Sequence, residues 1–108
     1  MTFKELKNKK GYEFECNMSK QYESYDNHDE WGCAFVWLGE NIGVEYNFSL
    51  DDGESYSAIY KMEFNYDTNY METDYNKYVH YDVDFNNENW EEELENAMCK
   101  ATIEFFNL

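Results

Sequence analysis

The chain has 108 residues and carries 24 Asp and Glu against 8 Lys and Arg, a formal net charge of -16. All eight basic residues are lysine, and the chain has neither arginine nor proline. This length implies one small domain. The charge excludes nucleic-acid binding through a basic patch, because carboxylates and phosphates repel. No apolar run approaches the ~20 residues that span a membrane as a helix. Catalysis on phosphates or carboxylates is difficult without a guanidinium.

Aliphatic residues are scarce, but 11 Tyr, 8 Phe and 3 Trp supply apolar area. Each ring can bury ~150–250 Å², so a folded domain rather than an acidic disordered tail is expected. Cys16, Cys33 and Cys99 are odd in number and widely spaced. They form no disulfide framework and no zinc motif, and small buried thiols in a reducing cytoplasm fit them best. The opening residues Met1–Glu5 have no apolar stretch of the secretory kind. No metal or cofactor is expected.

Residues 2–10 read as a short helix. Thr2 and Glu5 form a capping box, Lys7, Lys9 and Lys10 suit its last turn, and Gly11 stops it. Tyr12 to Met18 alternates as a half-buried strand, with Tyr12, Phe14, Cys16 and Met18 inward. Ser19 to Glu30 is polar and reads as a loop. Cys33 to Leu38 is a continuous apolar run suited to a central strand. Glu40 and Asn41 begin a turn.

Ile42 to Leu50 alternates, with Ile42, Val44, Tyr46, Phe48 and Leu50 inward. Asp51-Asp52-Gly53 reads as a hairpin turn. The next strand begins near Tyr56, with Ala58, Tyr60, Met62 and Phe64 inward; Ile59 breaks this pattern on the outward side. Residues 65–76 read as a loop or hairpin tip. Tyr78 to Phe85 forms the last strand, with Val79, Tyr81, Val83 and Phe85 inward. A helix follows from about Asn89 to Phe106, with Asn89 as its cap. Trp90, Leu94, Ala97, Met98, Ala101, Phe105 and Leu108 share one arc; Ile103 and Phe106 lie off it, available to the first helix. The expected fold is α+β: a short helix, an antiparallel sheet of about five strands, and a long helix packed on one sheet face.

Charge is unevenly distributed. Residues 1–20 hold five lysines and three acids, and the remainder holds three lysines and 21 acids. The assigned strand faces put Glu13, Glu15, Glu45, Glu63, Asp82 and Asp84 together on the uncovered side of the sheet. Spacings of ~6.8 Å along a strand and ~4.8 Å between strands resemble those between backbone phosphates. Loop acids, among them Asp67, Glu72 and Asp74, extend the field. Like charges opposed on a sheet destabilise it, and -16 exceeds the ~2–8 that solubility asks of a small domain. Such a field speeds encounter with a basic partner. Tyr66, Tyr70, Tyr75 and Tyr78, with Tyr22 and Tyr25, sit among the acids, and tyrosine is favoured at binding hot spots.

In overall character the chain resembles small acidic phage-encoded inhibitors that imitate DNA, of the anti-CRISPR and anti-restriction type. The resemblance lies in composition and rests on no motif. It implies occlusion of a nucleic-acid-binding surface: a basic nuclease or defence protein as partner, with no direct nucleic acid and no membrane. An immunity protein or antitoxin neutralising a basic nuclease toxin, or another acidic binding module, follows from the same physics. An enzyme is not expected. Carboxylate pairs are undiagnostic among 24 acids, and no triad or Gly-rich phosphate loop is present. The run Asp51-Asp52-Gly53-Glu54 lacks the order of a calcium loop.

Overall fold

The computed structural model describes residues 1–18, 30–50 and 55–108. Residues 19–29 of the expected Ser19–Glu30 loop, Tyr22 and Tyr25 among them, and the Asp51-Asp52-Gly53 turn lie outside the described residues. The elements in order are α1 (Phe3–Lys7), β1 (Tyr12–Cys16), β2 (Glu30–Leu38), β3 (Gly43–Leu50), β4 (Ser55–Asn65), β5 (Tyr70–His80) and α2 (Trp90–Phe106). The five strands form one antiparallel sheet in the order β1-β2-β3-β4-β5. The α+β architecture is the expected one: a short helix, a five-stranded meander and a long helix on one face.

The capping box forms as read. Thr2 Oγ1 accepts from the Glu5 N–H at 3.2 Å, and the Thr2 N–H donates to Glu5 Oε1 at 3.2 Å. The helix ends at Lys7 rather than Lys10, so Lys9 and Lys10 lie past its last turn. Gly11 takes φ +88°, and a Cβ there would stand 3.1 Å from the Gly39 nitrogen, whose N–H bonds to the Gly11 carbonyl. A side chain would be strained and crowded at once.

The core lies between the sheet and α2. Ala34 and Val36 of β2, Val44, Tyr46 and Phe48 of β3, and Ile59 of β4 meet Trp90, Leu94, Met98 and Ala101. Each fully buried large side chain, such as Leu94 or Met98, contributes about 1.5–3 kcal/mol. Cys99 and Thr102, outside the expected arc, are also buried. Thr102 Oγ1 donates to the Met98 carbonyl at 2.8 Å, which satisfies its hydroxyl within the helix. Lys7 Nζ donates to Asn96 Oδ1 at 2.7 Å, and the Tyr12 hydroxyl donates to Glu95 Oε2 at 2.5 Å, tying α1 and β1 to α2.

Four further expectations need correction. Asn89 occupies the cap position of α2 without making a side-chain capping bond; its N–H instead donates to Asn87 Oδ1 at 2.9 Å. Glu30, read as the end of a loop, instead opens β2, and Phe106 meets β4, with Lys61 Nζ 4.9 Å above its ring. The last strand spans Tyr70–His80 rather than 78–85, because residues 66–69 close a tight turn in which Asn69 has φ +61°. Tyr81, Val83 and Phe85 still pack on the core, as read, from the segment and turn beyond the strand.

The fourth correction moves a whole strand face. Tyr46 opposes Ile59 across the β3–β4 ladder, and directly opposed residues share a face. Ile59 is 1% exposed and belongs to the core. Tyr60, Met62 and Phe64 therefore point away from α2, and Ile59 is no irregularity but the residue that shows which way β4 faces.

Candidate functional site: the open face of the sheet

Both helices lie on one side of the sheet, and among the described residues no element packs on the other. This open face is built by residues alternating with the core. From β1 come Glu13 and Glu15, directly opposite Trp37 and Phe35 of β2. Phe35 in turn opposes Glu45 of β3, which opposes Tyr60 of β4, which opposes Tyr78 of β5.

Two groups of rings flank Glu45. Phe35 and Trp37 stack with centroids 5.6 Å apart and planes within 10°. The Trp37 indole lies over Gly43, where a Cβ would fall 2.9 Å from a ring carbon. Tyr60 contacts Tyr75 at 5.2 Å and Tyr78 at 5.7 Å, and Tyr78 contacts His80 at 5.2 Å. These distances fall in the favoured range for aromatic pairs. Tyr75 is 64% exposed and Tyr78 47% exposed.

A bulge in β5 makes the second group. Pairing jumps from Tyr60↔Tyr78 to Lys61↔Asp74, leaving Tyr75, Asn76 and Lys77 outside the ladder. An odd number of extra residues inverts the alternation along β5. Tyr78 and Thr73 consequently reach the same face.

Glu45 stands between the two ring groups and is held at both oxygens. Asn47 Nδ2 donates to Oε1 at 3.1 Å, and Thr73 Oγ1 donates to Oε2 at 2.6 Å. The carboxylate is half-buried. Among the described residues no ion pair engages Glu45, Glu13 or Glu15.

The anticipated acidic grid is divided. Glu13, Glu15 and Glu45 share the open face. Glu63 does not, because it alternates with Ile59 and Lys61 on the other side of β4. There it opposes Glu72, while Asp74 opposes Lys61. Lysines neutralise part of this second cluster: Lys77 lies 3.0 Å from Glu63 and 3.9 Å from Asp74, and Lys61 lies 3.7 Å from Glu63. The Glu63 carboxylate raises the Lys77 ammonium above its ordinary value. Asn65 Nδ2 bonds Glu72 at 3.1 Å.

Asp67 sits in the turn after β4, its N–H donating to Asn65 Oδ1 at 2.9 Å. Asp82 and Asp84 are exposed in the segment past β5, where Asp84 Oδ1 accepts from the Asn86 N–H at 3.0 Å. Tyr66, 77% exposed, contacts Phe64 at 4.9 Å, and Tyr70, 72% exposed, opens β5. Of the four tyrosines, Tyr75 and Tyr78 join the ring group around Tyr60.

Phe35, Trp37, Tyr60 and Phe64 were not expected on this face. Two signals pointed to them: the unbroken apolar run from Cys33 to Leu38, which supplies rings to both sides of a strand, and the outlying Ile59. Cys16 and Cys99 sit on the covered side, where burial pushes both thiols up. All three cysteines are free, and among the described residues no group of His, Cys, Asp and Glu is arranged to hold a metal. Among them, too, no helix is long and apolar enough to cross a membrane. No family model matches the chain, and neither a curated protein nor a solved structure matches it.

Proposed function

We propose that this chain is an acidic inhibitor that occludes the nucleic-acid-binding surface of a basic protein, a nuclease or a defence effector. The observation that carries the reading is the open sheet face, where aromatic rings alternate with carboxylates that no described lysine pairs. A nucleic-acid groove offers cations for phosphates and flat surfaces for bases. Carboxylates satisfy the first and tyrosine and tryptophan rings the second. The remaining acids, including Asp82 and Asp84, supply the long-range field that speeds encounter. In this reading the protein binds no nucleic acid itself, catalyses nothing, and works in the cytoplasm, where its three thiols stay reduced.

The test is displacement of a DNA duplex from a panel of basic nucleases across a salt series. Binding that excludes DNA and weakens as salt rises supports the reading. A ternary complex with DNA, or binding indifferent to salt, overturns it. Asp82→Asn with Asp84→Asn is expected to slow association while leaving the melting temperature unchanged.

A further inference from the structure

We infer that the open face is a receptor for an arginine side chain of a basic protein partner, seated on the Glu45 carboxylate between Phe35 and Tyr60. This rests on the occlusion reading above and names the contact at its centre.

Glu45 is flanked in register by Phe35 on one side and Tyr60 on the other. Its carboxylate is half-buried, yet no cation among the described residues meets it. Thr73 and Asn47 each use one acceptor position and fix the plane of the group. A carboxylate has about four such positions, so both oxygens keep capacity for a further donor.

A guanidinium matches this setting better than an ammonium. It is planar, it donates to both oxygens of a carboxylate at once, and its face stacks on aromatic rings. Glu13 and Glu15 at the edge of the same face favour positive charge around the anchor.

The other occupants fit poorly. The chain contains no arginine, so a second copy cannot supply the guanidinium. Two chains of charge -16 also repel, as would a nucleic-acid strand.

The experiment titrates the full chain with a capped tri-arginine peptide and, separately, with its tri-lysine counterpart, following backbone amide shifts by NMR. The first amides expected to move are those of Phe35, Glu45 and Tyr60, with tri-arginine binding several-fold tighter than tri-lysine. Glu45→Gln should weaken tri-arginine binding about ten- to a hundredfold, the range of a lost charge-assisted bond. Glu104→Gln, which removes one charge from α2, should leave binding within twofold. If Glu45→Gln does not fold, Tyr60→Leu takes its place and should abolish the preference for arginine over lysine.

Shifts spread over all acidic surfaces, equal response to the two peptides, or self-association through the open face would each overturn the inference. Peptide binding at Glu45 without inhibition of any nuclease would sink the occlusion reading and leave the arginine site standing. Nuclease inhibition unaffected by both variants would do the reverse.

Discussion

Thr73 of β5 donates to Glu45 of β3 at 2.6 Å, reaching over the intervening strand β4. The bond exists because the β5 bulge places Thr73 opposite Met62, next to the Glu45–Tyr60 row. A side-chain bond that spans three strands fixes the orientation of this one carboxylate.

Thr73→Val tests that link without altering charge. Losing the donor should cost about 0.5–1.5 kcal/mol in urea unfolding. Affinity for the tri-arginine peptide should fall several-fold, because the carboxylate loses its orientation. An unchanged affinity would mean that the bond does not position Glu45.

The orientation of β4 can be checked by comparing neighbours. Ile59→Ala should cost about 2–5 kcal/mol, the usual range for a core aliphatic. Tyr60→Leu, one residue on and facing the opposite way, should cost less. Chemical denaturation of both variants decides it, and the reverse order would return β4 to the facing first read from the alternation.

Gly43→Ala probes the ring stack. The new methyl would meet the Trp37 indole at 2.9 Å, so the ring must move off β3. We expect a loss of about 1–3 kcal/mol, as in overpacked cores, and a changed tryptophan emission. A variant with native stability and emission would show that Trp37 does not lie over Gly43.

Stability should fall in alkali. Burial, first of all, pushes the Tyr46 hydroxyl up to about 12, and burial likewise raises Tyr12 and Tyr81. In the unfolded chain tyrosine titrates near ~10. The folded state therefore holds these protons more tightly, and the resulting stability is complete below pH ~10 and lost as pH rises toward and through ~12. Urea midpoints measured from pH 8 to 12 should begin to fall at ~8.5, where the raised thiols of Cys16 and Cys99 titrate in the unfolded chain, and fall more steeply above ~10. Tyr46→Phe should make that drop shallower, and an equally steep drop would assign it to other groups.

Most of the architecture was legible in the residues. Thr2 and Glu5 announced the first helix, the Val44–Tyr46–Phe48 alternation gave the covered face of β3, and the Trp90–Leu94–Met98 spacing gave the helix that covers it. Those signals are local: a capping bond, a period of two, a period near 3.6. The anionic character and the lack of arginine were equally plain.

Only the tertiary structure decided which carboxylates meet. Alternation shows that Ile59 and Tyr60 point opposite ways, but not which of them faces the core, since both are apolar; the ladder with Tyr46 settles it. The bulge at Tyr75, Asn76 and Lys77 changes the facing of everything before it in β5, and no local pattern marks it. The facing of β4 parts Glu63 from Glu45, and the bulge in β5 brings Thr73 to it. Side-chain direction along a strand follows from the backbone alone, whereas the choice of face depends on pairing with residues distant in the chain.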